Sequence, residues 1–254
     1  MVKETNMDEK FESKGRVCVT GASGFIASWL INRLLLSGYN VIGTVRDPGN
    51  NDKLGHLWRL EGAKERVELV RADLMEEGSC DDTIMGCHGV FHIAFPVLAQ
   101  PSSDPKSEIL IPAIEGTLNI LSSCKKNPSL KRVILTSSSS TARARDDFDP
   151  NVPLDESSWS SVKDSRYALS KTLAERTAWE FCKDNKIDLL LSTIMSLFPC
   201  CLDAIQHYPF PRESEALDRP YYKLRSLGFK FKCIEEMFDD CIASLMAQGH
   251  LCLA

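Results

Sequence analysis

The sequence predicts an α/β fold built on a doubly wound parallel sheet, and three observations predict it. Short β-rich runs alternate regularly with helical stretches, a glycine turn joins the first strand to the first helix, and the composition is that of an ordinary globular chain. The 254 residues are 43% hydrophobic and 26% charged, with 30 basic against 35 acidic residues and a formal net charge of −5. Such a chain is long enough to bury a proper core. Its mild acidity argues against a nucleic-acid protein, which would carry a basic stripe to neutralise phosphates.

The elements follow in order. Arg16 to Thr20 is a β-rich run, and the turn Gly21-Ala-Ser-Gly24-Phe-Ile-Ala27 leads into an amphipathic helix over Ser28 to Leu36, closed by Ser37 and Gly38. Tyr39 to Val45 reads as the second strand, ending in Arg46-Asp47-Pro48. A helix around Lys53 to Leu60, a strand at Val67 to Val70, a helix near Ser79 to Met85 and a strand at Gly89 to Ala94 continue the alternation. A helix from about Lys106 to Lys125 carries Ile109, Ile114, Leu118 and Leu121. Lys131 to Thr136 is a buried strand followed by the serines Ser137 to Ser140. A loop over Asp146 to Pro153 leads to a long helix near Asp164 to Lys183, and Asp188 to Ser192 is the sixth strand. Regular β/α alternation of this kind predicts parallel strands joined by crossovers. Beyond Thr193 no clear period survives until a last helix over Ile234 to Gln248, whose Ile234, Phe238, Ile242 and Leu245 form one stripe.

No run approaches the roughly 18 apolar residues of a membrane span. Met1 to Arg16 alternate charges and lack the apolar core of a signal peptide, so a cytoplasmic chain with a solvated tail over residues 1–15 is expected. The ten cysteines are spread along the chain without a C-x-x-C. Cys18, Cys124 and Cys182 are expected as reduced thiols packed like small hydrophobes. His88 and His92 are four apart but flank a strand, so no metal site is expected.

The glycine turn carries the first chemistry. Gly21 permits the sharp exit from the strand, Gly24 lets backbone approach a pyrophosphate, and small Ala27 allows helix and strand to pack closely. The helix N-terminus then offers free N–H groups to the phosphate, as in a Rossmann-like fold. At the end of the second strand an acidic residue would select NAD, whereas a basic one accommodates the 2′-phosphate of NADP. Arg46 stands there, with Lys53 a turn or two on, which favours NADP(H). Asp73 and Leu74, after the third strand, are placed to meet the adenine edge.

Tyr167-Ala-Leu-Ser-Lys171 puts a phenol and an ammonium on one helix face, one turn apart. A nearby positive charge favours the phenolate and makes the tyrosine a usable proton donor and acceptor. The lysine can also hold the nicotinamide ribose. Ser137 or Ser138 would complete the group by donating to a substrate carbonyl oxygen as negative charge develops. Four consecutive serines leave that register open.

On these motifs the chain resembles the extended short-chain dehydrogenase/reductases, in particular a plant group of dihydroflavonol, cinnamoyl-CoA, aldehyde and tetraketide α-pyrone reductases. The resemblance rests on Val19 to Trp29, Thr44 to Pro48, Gly62 to Arg66, Ala72 to Leu74, Gly89 to Ala94, Gly116 to Asn119, Leu135 to Ser138 and Tyr167 to Glu175. It resumes over Glu235 to Leu245. It implies an NADPH-dependent carbonyl reductase of plant secondary metabolism, with Ser138 aligning the carbonyl, Tyr167 donating the proton and Lys171 partnering both tyrosine and ribose. Gly21, Gly24, Phe25 and Ile26 would line the pyrophosphate turn, Arg46 and Lys53 the 2′-phosphate, Asp73 and Leu74 the adenine, and Ala94 the cofactor-facing end of the fourth strand. Asp164-Ser-Arg-Tyr167 lacks the tyrosine signature of cinnamoyl-CoA reductases, and Ser138 to Arg143 differs from the dihydroflavonol reductase stretch. Both steer toward the aldehyde and tetraketide α-pyrone branch, a monomer or weak dimer acting on an aromatic or polyketide-derived aldehyde or ketone.

The departures from the family pattern concern the substrate side. Thr193-Ile194 stands where the family has an Asn-Pro doublet, and Pro209-Phe-Pro211 and Arg219 to Tyr222 resemble segments much nearer its C-terminus. The expected organisation is therefore a tail over 1–15, an NADP-binding domain over 16–195 carrying the Ser-Tyr-Lys site, and a reduced substrate-binding lobe over 196–254. Two other readings stand beside the reductase: a weakly active or inactive NADP-binding variant of it, and a nucleotide-sugar epimerase or dehydratase on the same scaffold.

Overall fold

The protein is described by a computed structural model, which covers residues 13–96, 104, 106–138, 140–143, 159, 160 and 166–192. The last helix expected over Ile234 to Gln248, the Asp146 to Pro153 loop and all of the 196–254 lobe lie outside these described residues.

Six strands form one all-parallel sheet: β1 (Arg16–Thr20), β2 (Asn40–Val45), β3 (Val67–Arg71), β4 (Gly89–His92), β5 (Arg132–Thr136) and β6 (Leu189–Ser192). Their order is β3-β2-β1-β4-β5-β6, so the chain reverses its direction of travel between β1 and β4. In such sheets ligands bind at the carboxyl ends of the strands flanking that switch. Side chains alternate across the sheet. Val17, Val19 and Ile134 enter a core with Leu30, Ile31 and Leu34 of the first helix. Cys18, Val133 and Leu135 enter the opposite core with Ile120, Leu121 and Cys124.

The helices start and stop where local chemistry dictates. Helix α1 (Phe25–Leu36) begins three residues earlier than periodicity predicts, because Gly24 serves as its extended N-cap and Ser28 N–H already bonds the Gly24 carbonyl at 2.9 Å. Helix α2 (Asn51–Trp58) is capped by the Asn50 side chain, which accepts from Lys53 N–H at 3.1 Å. Two one-turn helices, α3 (Ala63–Arg66) and α4 (Asp81–Ile84), precede β3 and β4, and α3 was not legible from periodicity. A wide turn over Lys106–Leu110 opens α5 (Ile111–Lys126), whose first turn contains Pro112. The serine run ends in a one-turn helix α6 (Ser140–Arg143), and α7 (Arg166–Asn185) carries the tyrosine and lysine.

Two long-range ties fix the sheet, one at the carboxyl ends of the central strands and one at the amino ends of β5 and β6. The Thr20 hydroxyl accepts from the backbone N–H groups of Ile93 and Ala94, both at 3.0 Å, and lies 2.9 Å from His92 Nδ1. With both lone pairs occupied, the hydroxyl donates its proton to Nδ1, so the imidazole carries its proton on Nε2. These bonds draw the chain after His92 toward β1, which is why β4 stops short of the expected Ala94. At the far edge, Arg132 grips Asp188 through Nε and Nη2 at 2.9 and 2.8 Å, tying the start of β5 to the residue before β6. Lys14 and Gly15, at the end of the expected tail, bond to Gly38 and Asn40 beside β2.

The thiols of Cys18, Cys80, Cys87, Cys124 and Cys182 are buried and free. Burial pushes them all upward, Cys87 to about 11 and Cys182 to about 12, as expected of thiols packed as small hydrophobes. Among the described residues no helix is long and apolar enough to cross a membrane.

Candidate active site

The β1–α1 turn is shaped by closeness. Gly21 adopts φ 69°, and a Cβ there would stand 3.0 Å from the Ala94 Cβ and 3.1 Å from its Cα. Only glycine holds this conformation without strain and without pushing the end of β4 away. Gly24 lies extended with its N–H on the Gly21 carbonyl at 3.0 Å. The Phe25 and Ile26 N–H groups precede the first intrahelical bond, and the first turn of α1 holds no acidic side chain. Ala27 is fully buried between helix and sheet. A bare glycine cradle facing unfilled helix donors suits a pyrophosphate, so the residues present fit a dinucleotide.

Arg46 follows directly on β2, and Lys53 sits in the first turn of α2. Both are exposed, and neither forms an ion pair among the described residues. Asp47 is engaged locally, its Oδ1 accepting from Gly49 N–H at 3.0 Å. Asp73 and Leu74 form a tight turn after β3: Asp73 Oδ1 accepts from Met75 N–H at 2.9 Å, and the Ser79 hydroxyl donates to the Asp73 carbonyl at 2.7 Å. Asn119 of α5 donates to the Leu74 carbonyl at 2.8 Å, and Gly116 leaves room for the Leu74 side chain. Sequence reasoning noted Asn119 only as part of a motif. Its work of anchoring the turn after β3 is visible only in the fold.

Beyond the ends of β4 and β5 the expected Tyr167 and Lys171 come together around a residue that periodicity did not single out. Lys171, only 5% exposed, donates to the Thr136 carbonyl at 2.9 Å, and its ammonium lies 3.6 Å over the centre of the Phe95 ring. Tyr167, 41% exposed at the start of α7, meets the same ring edge-on, with centroids 5.9 Å apart and planes at 77°. The i, i+4 spacing thus places both side chains against Phe95. Among the described residues the lysine bonds the end of β5 and makes no hydrogen bond to the phenol. Burial lowers Lys171 to about 8, opposed by the carboxylate of Glu175 one turn on. Burial, with Lys171 nearby, holds His92 down at about 3, so the imidazole stays neutral.

The serine register separates clearly. Ser137 is buried, and its hydroxyl makes a short hydrogen bond to the buried Glu175 carboxylate. Ser138 is half-buried, its hydroxyl oxygen accepting from Ser140 N–H at 3.2 Å and lying 2.9 Å from the Ser140 hydroxyl. Ser138 therefore stands outside the interior while Ser137 is committed to it; Ser139 is outside the described residues. Glu175 had no assigned role in the sequence, where it stands only as the end of the Tyr167 to Glu175 motif. It is buried where α7 meets the chain leaving β5, through the Ser137 hydroxyl and the Lys171 bond to the Thr136 carbonyl.

The switch point, the glycine turn and the Ser-Tyr-Lys grouping define a dinucleotide-binding protein of the short-chain dehydrogenase/reductase type. More particularly, the chain belongs to the NAD dependent epimerase/dehydratase family, which it matches over residues 17–198. It is 50% identical to tetraketide alpha-pyrone reductase 1 of Arabidopsis thaliana over 320 aligned positions, covering 94% of this chain and 98% of the relative. Because 320 positions outnumber the 254 residues, that alignment opens gaps in this chain. Other curated reductases match over only about half their own length. Among solved structures, vestitone reductase of alfalfa (Medicago sativa) aligns over 94% of this chain and 100% of its own, with a TM-score of 0.73 and 26% identity. The yeast methylglyoxal/isovaleraldehyde reductase Gre2, solved with NADPH, aligns over 70% of this chain and 56% of its own, with a TM-score of 0.59 and 28% identity.

Proposed function

We propose that the chain is an NADPH-dependent carbonyl reductase that converts an aromatic or polyketide-derived aldehyde or ketone to the alcohol. The observation that carries this reading is the meeting of Tyr167 and Lys171 at Phe95, with Lys171 bonded to the carbonyl at the end of β5 two residues before Ser138 and the Gly21–Ala94 approach one residue before Phe95. The tetraketide alpha-pyrone reductase and the NADPH-bound Gre2 among its relatives support it.

Gly21, Gly24, Phe25 and Ile26 would hold the pyrophosphate, Asp73 and Leu74 the adenine side, and Arg46 and Lys53 the 2′-phosphate. When bound, the nicotinamide supplies the hydride. The Ser138 hydroxyl donates to the carbonyl oxygen, where negative charge grows. The Tyr167 phenol protonates that oxygen, and the Lys171 ammonium stabilises the phenolate left behind. The lysine works only while protonated. Since its native value is about 8, turnover is expected to fall as pH rises through that region. The test is NADPH titration of the 254-residue chain followed by a turnover screen on aromatic aldehydes and acyl-CoA esters. NADPH oxidation by the wild type that is lost in Tyr167→Phe, with cofactor affinity retained, supports the reading. Unchanged turnover in that variant overturns it.

A second reading is favoured by the gapped alignment: a chain that binds NADPH but turns over little, because the substrate side is reduced. A poorly covered carbonyl loses both orientation and protection from water. Tight NADPH binding without turnover across the panel would select it.

A further inference from the structure

We propose that Phe95 is a positioning residue for the Tyr167–Lys171 pair, its ring face holding the Lys171 ammonium beyond the ends of β4 and β5 and the same ring setting the Tyr167 ring beside it. The inference rests on the reading of those two residues as the reacting pair, but it concerns a contact present in the chain without cofactor or substrate.

The argument starts from what a buried ammonium needs. Lys171 is almost entirely withdrawn from water, which disfavours its charged form. Three groups face it among the described residues. The Thr136 carbonyl at the end of β5 takes one hydrogen bond, and Glu175 on the same helix supplies opposite charge at a distance. Phe95, three residues beyond the end of β4, presents the negative face of its ring at 3.6 Å. An aliphatic side chain would exclude water there equally well, yet would offer a cation no attraction. The remaining titratable groups near the lysine do not replace that face. His92 of β4 stays neutral because burial pushes it to about 3. Tyr167 lies one turn back on α7, β5 meets the lysine through the Thr136 carbonyl, and the Ser137 hydroxyl just beyond β5 is turned to Glu175.

The second contact makes the geometry selective. Tyr167 packs edge-on against the ring that covers the lysine, with planes at 77°. Edge-to-face packing fixes the relative placement of two rings. One side chain at the end of β4 therefore holds both members of the pair, which sit on one helix but make no hydrogen bond to each other. The chain beyond His92 is itself pinned by the Thr20 hydroxyl through the N–H groups of Ile93 and Ala94, so Phe95 follows a fixed piece of backbone.

The test reads the lysine directly and needs no turnover. In cofactor-free protein labelled with 13C-lysine, the Lys171 Cε resonance, assigned with Lys171→Met, is followed against pH in wild type, Phe95→Leu and Phe95→Trp. Leucine keeps the site dry and removes the ring, so its titration should move down by about one pH unit; tryptophan, a better cation-binding face, should hold the wild-type value or raise it. If Phe95→Leu fails to fold, the tryptophan variant alone still tests the direction. The order leucine below phenylalanine, with tryptophan at or above it, supports the proposal. An unchanged or upward titration in Phe95→Leu, or a downward one in Phe95→Trp, overturns it. NADPH titration of the wild type is run in parallel. Absence of binding would overturn the reductase reading while leaving the lysine titration to decide the role of Phe95.

Discussion

The two parts of the candidate site are built in different ways. On the proposed function, the phosphate end comes from two short stretches: the β1–α1 turn with the first residues of α1 supplies Gly21, Gly24, Phe25 and Ile26, and the end of β2 with the first turn of α2 supplies Arg46 and Lys53. The acid–base end is assembled from residues far apart in the chain, namely Thr20, Phe95, Thr136 to Ser138 and Tyr167 to Glu175. A turn that depends on local conformation survives as long as its own strand and helix pair. A constellation drawn from four places depends on the register of β1, β4, β5 and α7 together. On the proposed function, the difference predicts that cofactor binding and turnover are separable in this chain.

The largest expected effect breaks the acid–base end alone. Tyr167→Phe should lower turnover by about 10²–10⁴-fold, with NADPH affinity measured by fluorescence titration unchanged. A matching loss of affinity would show that the two ends are not separable. Next, Arg46→Ala should weaken NADPH binding by roughly tenfold to a hundredfold, the worth of a hydrogen bond to a charged group, while leaving NADH binding and thermal stability alone. Arg46 is exposed and unpaired among the described residues, so a drop in melting temperature would count against its role as a 2′-phosphate ligand.

Smaller effects sharpen the structural side. Thr20→Val removes the acceptor for two backbone N–H groups and the donor to His92, and should cost about 1–3 kcal/mol in denaturant unfolding. Because the Thr20 hydroxyl fixes the chain leading to Phe95, turnover should fall more than cofactor affinity. Gly21→Ala should cost about 1–2 kcal/mol for a left-handed non-glycine residue, with the Ala94 contact adding to it. Here affinity should fall together with stability, since the strained turn is itself the binding surface. Asn119→Ala should be the mildest, about 1 kcal/mol, read as a modest loss of NADPH affinity through the Leu74 carbonyl it anchors.

Most of the fold was legible because its signals are local. Strands β1 to β6 fall within a residue or two of their β-rich runs, and the β/α alternation led to the parallel sheet. The boundaries that moved did so for tertiary or capping reasons. Helix α1 starts at Phe25 because Gly24 caps it, and β4 ends at His92 because Thr20 captures the next two amides. In the site, Tyr167 and Lys171 were legible from i, i+4 spacing, yet their meeting at Phe95 was not. A phenylalanine after a strand carries no signal of its own.

The amino-acid sequence by itself determined the class of fold, the glycine turn and the Tyr167–Lys171 pair, because strand alternation, helix period and glycine conformation act within a few residues. Only the tertiary structure decided which serine is committed to the interior, what covers Lys171 and why β4 stops where it does. Each of those depends on a partner tens of residues away: Glu175 for Ser137, Phe95 for Lys171, and Thr20 for Ile93 and Ala94. The charge state of a buried ammonium is set by whatever the fold packs against it, and no local pattern in the sequence records that.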